Sequence, residues 1–258
     1  MNMDMRLKFN EDVYNYDKAR PSYPKEMFLD IINYSNINFK HKALEIGIGT
    51  GKATMPILQS GCNVTSIELG NNLAEYVKDK FSNYSNFNVI NDDFMKYPFD
   101  SESLDFIYSA TAFHWLPEEE AFTKIQNILK MNGTIALFWN HPFPNREDDI
   151  SNIVNRKIYD KYRPTNKKIE EFSKKDCEIY VDKLNKFGFK DVVCKLYHRK
   201  RTLTSDEYIE LLNTYSDHRA LQIDLKNNFE RDMKSSIDEV GGKINIYDTI
   251  DLYLARKL

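Results

Sequence analysis

Between about residues 40 and 140, short apolar runs alternate with stretches of helical spacing, and few folds tolerate that rhythm. "KALEIGI" reads as a buried strand ending at Gly47, and "GKATMPILQSG" as a helix opening out of the loop behind it. "CNVTSIEL" is a second strand; "NNLAEYVKDKFSNY" carries helical spacing through Leu73, Tyr76, Val77 and Phe81. "FNVINDDF" and "LDFIYSAT" are strands three and four. "PEEEAFTKIQNILKMNG" predicts a helix with an acidic first turn that runs to a glycine stop, and "TIALFWN" a fifth strand. Strand and helix in alternation predict a parallel sheet covered on both faces. Such sheets bind their ligands at the carboxyl ends of the strands.

The flanks are less regular. Residues 25–36 predict a helix with Met27, Ile31 and Tyr34 on one side. Residues 141–175 are charged and carry Pro142, Pro144 and Pro164, with a helix near 149–162. "DCEIYVDKLNKFGF" is a helix stopped by Gly188, followed by a strand near 191–203. "SDEYIELLNTYSDH" starts a helix at Ser205 with acids in its first turn, but Tyr208 leaves the capping box incomplete. A second helical stretch runs to about Val240, and "KINIYDTIDLYLARKL" closes the chain as a strand. We therefore expect one domain over 1–258: an N-terminal lid and helix (1–36), a binding core (40–140), cap insertions (141–240) and a final strand (243–258).

A length of 258 residues with 41 % hydrophobic content supports a sizeable core. A net charge of −3 with no basic face argues against a nucleic-acid partner. The N-terminus has no apolar segment of signal-peptide type, and no apolar run approaches a membrane span. Cys62, Cys177 and Cys194 are odd in number and widely spaced, which fits reduced thiols in the cytoplasm, with no zinc site and no disulfide frame. A monomer or a homodimer is expected.

The loop "LEIGIGTGKAT" decides the ligand class. A phosphate-binding P-loop fails, because Ile46 stands at its first glycine and Ala53 where magnesium needs a hydroxyl. The dinucleotide fingerprint fails at Lys52, which occupies the third glycine position. What remains is GxGxG from Gly47 through Gly49 to Gly51, preceded by Glu45. This suits S-adenosylmethionine, which has a nucleoside and a zwitterionic end but no phosphate. Glycines let backbone approach the nucleoside, and Glu45 complements the ammonium end directly or through water. Glu68, 17 residues after Gly51, can accept both ribose hydroxyls. Asp93 and the backbone N–H of Phe94 offer an acceptor and a donor to adenine. Thr50 and Leu69 belong to the same candidate set.

The run "LEIGIGTG … IELG … NDDFMKYPFDSESLDFIYSATAFHWLP … KMNGTIALFW" resembles the class I S-adenosylmethionine-dependent methyltransferases. The likeness is nearer to the branch that includes trans-aconitate methyltransferases, through "YDKARPSYP", "AFHW", "LLNTYSDH" and "YLARK". The resemblance is specific over 43–139, moderate over 14–24 and weak over 141–258. It implies a Rossmann-like, mostly parallel seven-stranded α/β sheet with an antiparallel last strand. It implies a cofactor loop of Gly47, Gly49 and Gly51, Glu68 on the ribose, Asp93 on the adenine amine and Ala110 near the methionine part. It also implies a lid carrying Tyr14, Tyr16 and Arg20 toward the pocket, and S-adenosylhomocysteine as the product. The [DNS]PP[YFW] motif of nucleobase and amide N-methyltransferases is absent; "SATAFHW" stands in its place.

Methyl transfer from a sulfonium needs alignment and exclusion of water above all. A carboxylate acceptor needs no base, whereas a phenol, enol or amine can. His114 is the candidate base; a purely structural role beside the following helix is the competing reading. Trp115 and Trp139 are candidate pocket walls or plain packing residues. Arg20 suits a carboxylate of the acceptor or of the cofactor, and Tyr215 and His218 lie where an acceptor pocket belongs. The expected activity is methylation of a small molecule, at an oxygen of an organic acid. The alternatives are carbon methylation of a quinone or lipid intermediate, and a regulatory protein that binds the cofactor without turnover.

Overall fold

The computed structural model describes residues 13–167 and 169–258. Its helices are α1 (Val13–Ala19), α2 (Lys25–Ser35), α3 (Thr54–Gln59), α4 (Asn71–Lys80), α5 (Glu118–Ile128), α6 (Ile150–Tyr162), α7 (Glu178–Lys186), α8 (Ser205–Leu212), α9 (Ser216–Arg219) and α10 (Ile223–Glu239). Its strands are β1 (Lys42–Ile46), β2 (Asn63–Glu68), β3 (Phe87–Asn91), β4 (Leu104–Ala110), β5 (Leu129–Phe143), β6 (Lys190–Thr204) and β7 (Lys243–Arg256). They form one seven-stranded sheet in the order β3-β2-β1-β4-β5-β7-β6. β1 to β5 run parallel, while β7 lies antiparallel between β5 and β6. This is the Rossmann-like arrangement with an antiparallel last strand.

The order reverses at β1, whose neighbours are β2 and β4. Connections therefore leave on opposite faces, and a crevice opens above the carboxyl ends of these strands. One face buries Met27, Phe28 and Ile31 of α2 with Ile57, Leu58 and Val77 against the sheet. The other packs Phe122 and Ile125 of α5 and Leu184 of α7 against Leu44, Ile107 and Tyr253. A third cluster lies beyond the sheet's end, where α6, α8 and α10 close on Ile244 and Ile246 at the start of β7. Those long outer strands thus carry the cap as an extension of the sheet.

Several local expectations shift. α5 stops at Ile128, because Leu129 returns to extended backbone and Asn132 adopts a left-handed φ of 62°. Gly133 sits inside β5 and is not the helix stop. The late helix starts one residue earlier in its logic than Ser205: Thr204 caps α8, accepting from the Glu207 backbone N–H while the Glu207 carboxylate accepts from Thr204 N–H, a complete capping box. The same stretch then breaks after Leu212, where Thr214 turns its hydroxyl back to Leu211 O and Tyr215 is extended, before α9. No described helix is long and apolar enough to cross a membrane.

Candidate active site

The carboxyl ends of β1, β2 and β4 wall a cavity of about 350 Å³. The glycine loop forms its floor. Gly47, Gly49 and Gly51 all take positive φ, at 72°, 55° and 76°. A Cβ on Gly47 would stand 2.7 Å from the Ala112 Cβ, and one on Gly51 would run into the Phe81 ring. At Gly49 an added Cβ meets nothing within 4 Å, so this residue turns bare backbone toward open space. L side chains pay a steric cost in that region of φ, and close approach explains the rest.

Glu68 ends β2 and is 8 % exposed. One carboxylate oxygen accepts from Gly49 N–H at 3.0 Å and the other from Gly70 N–H at 2.9 Å. Burial raises its pKa, against the pull of these backbone donors. Each oxygen keeps a further lone pair for a ligand donor. Leu69, Asp93, Phe94 and Ala110 line the same cavity, with Asp93 Oδ1 accepting from Met95 N–H at 2.9 Å.

Glu45 is placed differently from the other acids. It is fully buried outside the cavity lining, and its Oε2 accepts from Thr54 Oγ1, Tyr108 OH and Ser66 Oγ at 2.7, 2.9 and 3.4 Å. Burial pushes its pKa up to about 7, opposed by those three hydroxyls. It ties β1 to β2, β4 and α3 beneath the loop.

The lid contributes Tyr16 and Arg20 to the lining, along with Pro21 and Tyr23. Arg20 lies over the Tyr215 ring at 4.2 Å and the Tyr16 ring at 5.1 Å, and its Nη2 donates to Thr214 O at 2.9 Å. Its Nε–H is buried with no hydrogen-bond partner among the described residues. Tyr14 points away: it is 79 % exposed and packs edge-on to Tyr76. Asp17, between them, accepts from Tyr76 OH at 2.8 Å and pairs with Lys80 and with Lys52 of the glycine loop. Burial would raise the Asp17 carboxyl, but Tyr76, Thr50 and Lys52 outweigh it and hold it at about 2.

The lining also includes Thr111, His114, Trp115, Asn140, Tyr215 and Asp217. Thr111 takes a φ of 54° and shares a 2.7 Å hydrogen bond with Tyr23 OH. Trp139 lies behind the wall at 6 % exposure, packed on Tyr180, and its indole Nε1–H donates to His114 Nδ1 at 3.0 Å. His218 also stays outside the lining, bonded to Tyr159 OH at 2.8 Å within the cap core. Thus thirteen of the residues singled out from sequence converge on the cavity, whereas Tyr14, Glu45, Gly51, Trp139 and His218 do not line it. Tyr23, Lys52, Thr111 and Asn140 were not among them. Asn140 follows the strand-end rule on β5; the left-handed turn at Thr111 leaves no trace in residue type.

The site has a stacked guanidinium, a buried carboxylate and bare loop backbone. No group of three or more His, Cys, Asp or Glu among the described residues could hold a metal. Residues 44–137 match the methyltransferase domain family. An uncharacterized methyltransferase-like protein of Schizosaccharomyces pombe is 31 % identical over 211 residues, 81 % of this chain and 77 % of that protein. An uncharacterized methyltransferase of the same yeast is 25 % identical over 236 residues, covering 90 % of this chain and 86 % of its own length. Among solved structures, the Haemonchus contortus phosphoethanolamine N-methyltransferase 2, bound to phosphomonomethylethanolamine and S-adenosylhomocysteine, superposes with a TM-score of 0.57 over 98 % of this chain and 60 % of that one. At 14 % identity that last likeness is one of fold.

Proposed function

Because the chain belongs to the methyltransferase family, we propose that it methylates an oxygen of a small organic acid, with S-adenosylmethionine as the donor. The observation that carries the acceptor class is Arg20: a cation on the cavity wall, stacked between two tyrosines, with a buried and unpartnered Nε–H. A buried donor without an acceptor is costly unless a ligand supplies one. A carboxylate fits a guanidinium edge.

The cavity suits the donor equally well. Glu68 offers one free lone pair on each oxygen to vicinal hydroxyls, and Gly49 admits the nucleoside against bare backbone. Asp93, Phe94 and Ala110 line the cavity; in this reading the first two edge the base and Ala110 the amino-acid end. When bound, the sulfonium would supply an electrophilic methyl to a lone pair of the acceptor oxygen, with the C–S electron pair staying on sulfur. No proton moves if the acceptor arrives ionised. The chain's own part is then to align and to dry the site. Tyr23, Trp115 and Leu116 supply apolar wall, and α1 closes the roof.

Methyl-labelled S-adenosylmethionine incubated with the protein and a cell extract tests the acceptor. Label in water-soluble acids, released as methanol by mild base, is expected; base-stable label in an organic phase would move the acceptor to a quinone or lipid. Glu68→Ala should weaken S-adenosylhomocysteine binding by roughly 1–3 kcal/mol in calorimetry, and unchanged affinity would put the cofactor elsewhere.

A further inference from the structure

The contact between Trp139 and His114 fixes more than a ring position. An indole N–H donates and never accepts, so the 3.0 Å bond requires a bare lone pair on His114 Nδ1. In a neutral imidazole the proton must then sit on Nε2. Imidazolium would turn Nδ1–H against the indole N–H, donor facing donor. The Nε2 edge has no partner among the described residues, and His114 lines the cavity while Trp139 stands behind it.

We propose that His114 serves as a fixed hydrogen-bond donor toward an oxygen of the methyl acceptor, with Trp139 as the positioning residue that sets its tautomer. The inference rests on the methyltransferase reading above and narrows its acceptor: an oxygen already ionised when it binds, held by Nε2–H beside the Arg20 guanidinium. A proton acceptor at this position would need the lone pair that the tautomer denies it.

The electrostatic surroundings favour the neutral ring. His114 is exposed on the cavity wall, and the desolvation its neighbours impose, with His141 of β5 nearby, lowers its pKa. His141 itself lies 3.1 Å from Asp251 of β7, while Arg20 and Asp217 reach the same cavity from the lid and from α9. Negative charge on the acceptor falls as its oxygen takes the methyl. A donor to it therefore holds the ground state at least as firmly as the transition state, and its loss belongs in KM.

Nitrogen-15 NMR of the full chain labelled at histidine reads the tautomer directly and needs no acceptor. His114→Gln identifies the resonance. The expected result is a proton on Nε2, an unprotonated Nδ1 across neutral pH and an apparent pKa below that of a free histidine. Trp139→Phe, which keeps most of the ring volume, should mix the tautomers and raise that pKa. A proton on Nδ1 in the native chain, or an unchanged spectrum in Trp139→Phe, overturns the proposal. Kinetics with the acceptor found in the labelling experiment adds a second reading. His114→Ala should raise the acceptor KM on the order of tenfold to a hundredfold with kcat nearly kept, and Gln, whose amide N–H₂ reaches the Nε2 position, should recover most of it. A general base would instead lose ~10²–10⁴ in kcat, with Gln as poor as Ala. An intact Nε2–H tautomer in a chain that transfers no methyl would sink the function proposed above and leave the tautomer standing.

Discussion

Glu45 shows how one buried side chain couples the strands to pH. Its Oε1 is buried without a partner while three hydroxyls crowd Oε2, so a proton on the unpartnered oxygen relieves an uncompensated charge. The folded chain binds that proton more tightly than the unfolded one. The stability it contributes is full below about pH 4.5 and is lost as pH climbs through about 7. Denaturant unfolding should show a decline across that window with a slope of up to about 1.4 kcal/mol per pH unit from this residue. Glu45→Gln should flatten it; an unchanged slope would assign the titration to another group. From the sequence, an acid two residues before a glycine loop looked like a ligand for the cofactor's ammonium. The burial pattern of β1 explains why spacing could not place it: four consecutive residues are buried, so alternation does not separate a cavity-facing position from a supporting one.

At the scale of elements, the glycine loop separates two jobs that its residue types make look alike. Gly51 meets the Phe81 ring, itself packed on Tyr84 and Phe87, whereas Gly49 meets empty cavity. Gly51→Ala therefore combines left-handed strain with overpacking, about 2–4 kcal/mol in all, and should lower Tm on the order of 10 °C. Gly49→Ala bears the strain alone, should melt within a few degrees of the native chain, yet should lose S-adenosylhomocysteine binding. Equal melting losses in the two would contradict this division. The parallel core was legible because each buried strand ends in a loop and each helix carries a 3.6-residue apolar stripe. The ends were less so. Thr204 closes β6 and caps α8 at once, so a reading that gives each residue one role starts the helix a position late. Gly133 looks like a stop, but the turn is made at Asn132. The Trp139–His114 contact joins adjacent strand ends 25 residues apart in the chain, which residue types alone do not reveal.

Across the whole molecule, α1 bridges two bodies that the sheet holds apart. Asp17 fastens it to α4 and the glycine loop, while Lys18 pairs with Glu210 of α8 and Arg20 reaches Thr214. Asp17→Asn should leave global unfolding nearly unchanged but speed hydrogen exchange over residues 13–19 roughly fivefold, the effect of about 1 kcal/mol of local opening. Exchange equal to the native chain would mean that the cap contacts alone hold the helix.

One short helix thus roofs the space that the proposed reaction would fill with two guests, and it is stapled along both eaves. Arg20, just past its end, lines the cavity, and its Asp17 grips Lys52 of the glycine loop. If the cavity is filled as proposed, neither spent cofactor nor methylated product departs until contacts on both sides part together. The tempo of turnover then belongs to the hinge more than to the chemistry, and a viscous solvent would slow this protein where a more electrophilic donor would not hurry it.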